Sequence, residues 1–262
     1  MDAGITAVCA VGGLVVGDAL EVVVERTGDR HPFDRPWWRC PSCDAPARGL
    51  GLVPLVRCFD RAGGCRQCHK PIAHAWRPLD LAIVTAVVFG ALAWRFGAQP
   101  ALAAYVVFAA GLIAISAVDL EHMRIPNRIL YPTLLSTAVL LTVASAVDDR
   151  WGSLARGAIA GAAGFGAFFV VHLVVPKGMG FGDVRLAGLV GLGAGWLGLG
   201  HGFVAFATAF LLGAFIGLGV MIATGGGRKT KIPFGPFLAA GALVAVLWGG
   251  PVAAGLFHHH AS

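Results

Sequence analysis

Residues 101–127 read ALAAYVVFAAGLIAISAVDLEHMRIPN. Positions 101 to 118 pass without a single charge, and Asp119 then closes the run. A helix needs about 20 apolar residues to cross the hydrocarbon core of a bilayer, so this stretch reads as a membrane span. Pro126 stops any helix that continues past Asp119, since proline cannot extend a helical hydrogen-bond ladder. The span therefore ends on an acid at the membrane edge. Ionisable groups in that position are costly to keep and are candidates for function.

The same texture recurs along the chain. Further apolar runs cover residues 3–24, 79–96, 129–147, 154–175, 184–198, 203–224 and 232–257. The run at 184–198 is short and rich in glycine, which points to a tilted or incomplete crossing. Of 262 residues, 57% are hydrophobic and only 13% are charged, and the mean hydropathy is +0.76. A soluble domain carries about a quarter charged residues, so this chain cannot cover a soluble globule of its size. Disorder is excluded by the same numbers, because it requires low hydrophobicity. The expected fold is an all-α polytopic membrane protein with about eight transmembrane helices. Its 38 glycines suit helices that approach closely in lipid. No cleavable signal peptide is evident, since the N-terminus lacks a basic region and a processing site.

Charge placement sets the expected topology. Residues 25–78 hold ten Lys/Arg, and the loops after the third, fifth and seventh runs hold Arg124, Arg128, Lys177, Arg185, Arg228, Lys229 and Lys231. Only Arg95, Arg150 and Arg156 fall on the opposite side. By the positive-inside rule the basic loops are cytoplasmic and both termini lie outside. The net charge of +6 is thus a topology signal, and no nucleic-acid partner is expected.

Residues 25–78 form the one soluble insertion, between a first span at 1–24 and the remaining membrane region at 79–262. It contains Cys40-Pro-Ser-Cys43 and Cys65-Arg-Gln-Cys68. Two such knuckles place four thiolates for tetrahedral Zn²⁺, with no coordination position left open, so the metal would be structural. It would tie two turns together in a segment too small to build its own core. Two disulfides or four free thiols are the alternatives, and a reducing cytoplasm favours metal over disulfides.

A second acid mirrors the first. Asp183 closes Gly178-Met-Gly180-Phe-Gly182-Asp183, just before the run at 184–198. The charge-derived topology puts Asp119 and Asp183 at the same cytoplasmic edge. If the helix ends pack together, two neighbouring carboxylates cannot both ionise and will share a proton. One then acts as general base on a water, while the other polarises a scissile carbonyl and later assists the leaving amine. Gly178, Gly180 and Gly182 would let the backbone approach a substrate and take positive φ. Lys177 stands near enough in sequence to attract acid groups or tune Asp183, or simply marks the cytoplasmic side. On physics alone the two aspartates are equally readable as helix caps facing water.

Taken together, the motifs resemble the type IV prepilin peptidases, leader peptidase/N-methyltransferases of bacterial membranes. The resemblance rests on Asp119-Leu120-Glu121 followed by Ile125-Pro126-Asn127, on Gly180-Phe181-Gly182-Asp183, and on Pro233-Phe234-Gly235-Pro236-Phe237. A cytoplasmic four-cysteine domain after the first helix completes it. It implies a multi-pass protein of the bacterial cytoplasmic membrane with Asp119 and Asp183 as its catalytic dyad. The implied loop support is Gly180, Gly182, Pro126, Asn127 and Lys177. The implied substrates are prepilins and pseudopilins, which carry a short basic leader and an apolar helix, lie beside the enzyme in membrane lipid, and are cut after a Gly. The implied second reaction methylates the new N-terminus with S-adenosylmethionine. The chain departs from the family at Gly17-Asp18-Ala19-Leu20-Glu21-Val22, where Gly-Ser-Phe-Leu-Asn-Val is usual, and Arg185 stands where lysine is frequent. Presenilin-type proteases share the Gly-x-Gly-Asp logic but lack a four-cysteine insertion. A non-enzymatic transporter or assembly factor with a zinc-bound docking domain is the rival from another class.

Overall fold

The computed structural model describes residues 3–27, 67–68, 77–175, 179–223 and 233–257. All regular structure among them is helical: α1 (Ala3–Thr27), α2 (Arg77–Phe96), α3 (Ala101–His122), α4 (Asn127–Val147), α5 (Trp151–Val174), α6 (Phe181–Leu197), α7 (Leu199–Ala223) and α8 (Gly235–Phe257). The chain divides into two compact units, Met1–Ala98 and Gln99–Ser262.

In the first unit α1 and α2 pack backbone to backbone. Gly13 and Gly17 lie one turn apart, on one face of α1. A Cβ on Gly13 would come within 2.6 Å of Ala86 Cα, and one on Gly17 within 2.6 Å of Ala82 Cα. The contacts advance along α1 as they retreat along α2, so the pair is antiparallel. Small residues at this spacing are the usual means by which membrane helices dock, because lipid provides no hydrophobic drive between them.

The second unit is arranged around α3. Ala104, Tyr105, Phe108, Leu112 and Ile115 are fully buried, although a helix facing lipid would leave such residues on the outside. The Tyr105 hydroxyl donates to the Gly193 carbonyl in α6 at 2.8 Å, and the missing side chain of Gly193 makes room for the Phe108 ring. A glycine stripe on α5 meets the backbone of α6: Cβ atoms on Gly157, Gly161 and Gly164 would lie 2.9, 3.1 and 3.0 Å from the carbonyl oxygens of Leu192, Gly188 and Ala187. These close approaches seat α6 against both α3 and α5.

The sequence led us to expect about eight crossings. Five of the described helices, or apolar parts of them, are long and apolar enough to cross: Ala3–Glu21, Ala101–His122, Asn127–Val147, Trp151–Val174 and Leu199–Ala223. The apolar parts of α2 and α8, Leu81–Phe96 and Gly235–Gly250, are shorter. The α6 helix has 17 residues and spends its first turn on Asp183. The helices also extend past the expected runs at the membrane edge. The α3 helix continues to His122 rather than ending at 118, and α6 begins at Phe181 rather than 184. Both acids therefore sit inside helical turns. The last helix begins at Gly235, after the expected start at 232.

Candidate active site

Asp119 occupies the final turn of α3, where hydropathy no longer dictates the residue. The helix closes at Met123, which takes the left-handed conformation (φ 51°, ψ 42°) and donates its N–H to the Asp119 carbonyl. Ile125 and Pro126 then lead into α4, with Pro126 extended at φ −76°. Proline at a helix entry loses nothing, because its missing N–H would have had no helical partner there. The Asp119 side chain is only 5% exposed, and its Oδ2 accepts the Gly235 N–H at 2.9 Å. Gly235 is the first residue of α8. Its N–H is one of the unpaired donors at the positive end of the helix dipole, a natural seat for an anion. The approach is so close that a Cβ on Gly235 would lie 2.7 Å from Oδ2.

Asp183 stands in the first turn of α6 and turns its Oδ2 back to accept the Gly180 N–H at 3.1 Å. The Asp183 N–H in turn reaches the Gly180 carbonyl. This closes the helix start in the manner of a capping box, with backbone in place of the usual Ser or Thr side chain. Upstream, the His172 ring donates from Nδ1 to the Met179 carbonyl at 2.9 Å and lies 5.6 Å from the Phe181 ring, centre to centre. It thereby anchors the strand of loop that enters α6.

The expected reason for the glycines needs correction. Gly180 has φ −71°, and among the described residues Gly97, at φ 58°, is the one glycine in the left-handed region; Gly178 lies outside the described residues. Close packing is the physical cause instead. A Cβ on Gly182 would lie 2.8 Å from Ile125 Cβ, so glycine at 182 lets the Ile-Pro-Asn loop press against the start of α6. Arg185, two residues on, donates to Asn127 Oδ1. Its guanidinium lies 4.4 Å from the Phe181 ring centre and 5.6 Å from that of Tyr131. The two sequence motifs are thus held together by Ile125 against Gly182 and Asn127 against Arg185.

The electrostatic consequence falls on the dyad. Burial, reinforced by the neighbouring Asp119 charge, pushes Asp183 from the ordinary 3.8 up to about 6, against the lowering effect of the Gly180 N–H. Asp183 precedes the apolar run of its helix and lies outside the five candidate spans. A carboxyl of raised proton affinity beside a second carboxyl suits acid–base hydrolysis of an amide.

A groove of about 450 Å³ runs between α4, α5 and α6. Its walls are Leu130, Leu134, Ala162, Phe165 and Leu192, with Tyr131, Phe181 and Arg185 also lining it. Among the described residues that line it, Arg185 is the one that is charged.

Several expected residues are not placed. Lys177, Cys40, Cys43 and Cys65 lie outside the described residues, and Cys68 is described as half-buried. No group of three or more His, Cys, Asp or Glu able to hold a metal occurs among the described residues. Two contributors escaped the sequence reading. Gly235 carried a signal, a glycine between two prolines ahead of an apolar run. His172 carried none, because its partner is a backbone carbonyl across a loop.

Comparison with known proteins agrees with this geometry. A family profile described as "Type IV leader peptidase family" matches residues 106–221. A second, "Bacterial Peptidase A24 N-terminal domain", matches residues 11–96. Relatives bearing the name prepilin leader peptidase/N-methyltransferase include one from Stutzerimonas stutzeri, 29% identical over 90% of this chain and 80% of its own length. Another, from Bacillus subtilis, is 31% identical over 80% of this chain and 81% of its own length. A third, from Pseudomonas aeruginosa, is 30% identical over 80% and 71%. No solved structure matches the chain. With both of its motif loops folded against one another and its relatives aligned along most of their length, this chain belongs to the type IV leader peptidase family.

Proposed function

We propose that the protein is a membrane aspartic endopeptidase that removes the leader of prepilins and pseudopilins, with Asp119 and Asp183 as the dyad. The observation that carries this reading is the convergence of the two acids from different helices. One lies on the N–H of Gly235 and the other has its proton affinity raised by burial and, after that, by the charge of the first. Asp119, facing a helix N-terminus, is the better anion and takes a proton from the attacking water. Asp183 holds the second proton and delivers it to the carbonyl oxygen as the water oxygen bonds to carbon. The tetrahedral diol then collapses: the C–N bond breaks as Asp119 gives its proton to the amine, one diol hydroxyl gives its proton to Asp183 as the C=O bond re-forms, and the dyad is again singly protonated. Water must reach this site while the substrate helix stays in lipid, which suits acids at a membrane edge.

The finer topology belongs to the same reading. All eight helices cross or enter the bilayer, with the dyad and residues 25–78 on the cytoplasmic side of the bacterial inner membrane. The support is the concentration of Lys/Arg on alternate loops. Cys40, Cys43, Cys65 and Cys68 bind one structural Zn²⁺, supported by the donor set itself, four soft thiolates in two knuckles. Pro126 and Asn127 shape the loop that meets α6, Gly180 and Gly182 support Asp183, and Lys177 adds positive potential near it.

The names of the relatives carry a second activity, N-methyltransferase. Transfer of a methyl group from S-adenosylmethionine to the new N-terminal amine is accordingly the second proposed reaction. The changed stretch at Gly17–Val22 makes it the less supported half. Co-expression with a prepilin, followed by mass spectrometry of the mature N-terminus, tests both halves. Leader removal after a Gly supports the peptidase. A further gain equal to one methyl group supports the transfer, and an unmethylated mature N-terminus overturns it. An intact leader overturns the peptidase reading.

A further inference from the structure

One peptide group, between Met179 and Gly180, is held at both ends. Its carbonyl accepts the His172 Nδ1–H at 2.9 Å, and its N–H donates to Asp183 Oδ2 at 3.1 Å. A carbonyl oxygen can only accept, so Nδ1 carries a proton whether the ring is neutral or charged. His172, the 179–180 peptide and Asp183 thus form one chain of hydrogen bonds, in which each bond polarises the next. The donor at its head is well fixed. His172 stands in the last turn of α5, half-buried, with its ring 5.6 Å from that of Phe181. The Phe181 ring in turn packs edge-on against Phe165 and Phe169 of α5. A side chain on a long helix therefore holds a peptide group that lies in a loop.

That peptide group needs the hold. A peptide is planar, and its C=O and N–H point opposite ways. A half-turn of this one plane would withdraw the N–H from Asp183 and aim the carbonyl oxygen at it instead. For most residues the turn is blocked, because it carries the following residue to a positive φ that only glycine enters freely. Residue 180 is glycine, now at φ −71° and ψ 148°. It is needed there for space, since a Cβ would lie 3.3 Å from Asp183 Oδ2, and the freedom to turn comes with it. With Oδ2 occupied as an acceptor, the proton that Asp183 delivers belongs on Oδ1. An inverted plane would set two acceptors face to face and swing the carboxyl away.

We infer that His172 is a positioning residue for leader removal: by holding the Met179 carbonyl it keeps the Gly180 N–H on Asp183 Oδ2, and so sets which oxygen of Asp183 presents its proton. This deepens the peptidase reading and rests on it. His172 acts through one peptide group and touches no reacting atom. A role in the fold alone would ask only for a ring of this size against Phe181. Positioning asks for an N–H at the place of Nδ1. Asparagine puts its amide nitrogen near that place, glutamine puts its own near Nε2, and phenylalanine supplies a ring without a donor.

The test uses the full-length enzyme in mixed micelles with one cleavable prepilin, and rates are normalised to folded protein by thermal unfolding. His172→Phe and His172→Gln should lower kcat about 10- to 100-fold, as a misplaced catalytic group does, with KM little changed. His172→Asn should recover most of that loss. The pH profile gives a second readout. The Gly180 N–H lowers the proton affinity of Asp183, so its loss should move the alkaline limb of kcat/KM upward by up to about one pH unit. That shift should occur in His172→Phe and His172→Gln but not in His172→Asn. Equal kcat in His172→Asn and His172→Gln would overturn the inference. So would wild-type kcat in His172→Phe, or an alkaline limb that stays in place in every variant. Should none of the three variants fold, the ring serves the fold and the inference fails. A wild-type enzyme that leaves the leader intact would instead sink the peptidase reading itself.

Discussion

Replacing Gly235 by alanine perturbs the dyad without touching either acid. The new Cβ would lie 2.7 Å from Asp119 Oδ2 and 3.2 Å from its Cγ. That is about 0.7 Å inside the 3.4 Å at which ordinary contact begins. The neighbouring backbone is the start of α8, and Asp119 is 5% exposed, so neither side can retreat into open space. The carboxylate must swing off the Gly235 N–H, lengthening a bond that now measures 2.9 Å. A hydrogen bond to a charged group is worth about 1.5–3 kcal/mol, which is about 10- to 150-fold in rate if it is lost where the transition state needs it. A displacement near 1 Å costs about 10²-fold by misplacement alone. We therefore expect kcat/KM for leader removal to fall about 10²-fold in Gly235→Ala. The assay is the initial rate with purified enzyme and a prepilin in mixed micelles, normalised to folded protein by thermal unfolding. Gly166→Ala is the control, since a Cβ there meets nothing within 4 Å, and its rate should match the wild type. A Gly235→Ala enzyme that cleaves at the control rate would refute the claim that this close approach positions Asp119.

Asp183 titrates near 6 rather than 3.8, and the active form proposed here has it protonated. Leader removal should accordingly fall about tenfold per pH unit above that point, and a rate that stays flat from pH 6 to 8 would contradict the assignment. The linked effect on stability has a definite sign. The folded state binds the proton more tightly than the unfolded one, so this group's contribution is complete below 3.8 and is lost as pH rises through about 6. Elemental analysis should find one Zn per chain, lost in Cys40→Ser; a metal content unchanged by that substitution would refute the four-thiolate site. Tyr105→Phe removes the bond to the Gly193 carbonyl and should lower stability by about 1 kcal/mol, read as a lower unfolding temperature in detergent with cleavage largely kept.

Composition and periodicity made the helical membrane class legible, because lipid constrains residue type over a whole span. They were weaker at the ends. The α3 helix runs to His122 and α6 starts at Phe181, since capping geometry at Met123 and Gly180 decides where a helix stops, and that depends on single residues. Asp119 and Asp183 stood out as two acids at the ends of apolar runs, but their partners did not. The Gly235 N–H and the His172 contact to Met179 join residues 116 and 7 positions apart, and backbone partners leave no side-chain signature. The positive φ expected at Gly180 and Gly182 is absent, and at Gly182 a need for space beside Ile125 selects glycine just as a positive φ would. Arg185 read as a topology marker, and its contacts with Asn127 and Tyr131 of α4 were not legible, since they depend on how two helices pack.

The dyad itself is tested most directly by leader removal from a co-expressed prepilin in Asp119→Asn and Asp183→Asn. Each amide keeps the size of the side chain and removes the ionisable group. Both proteins should accumulate in the membrane at wild-type levels and leave the leader intact, a loss of at least about 10²–10⁴-fold for a missing acid or base. Normal processing by either variant would contradict the account at its centre.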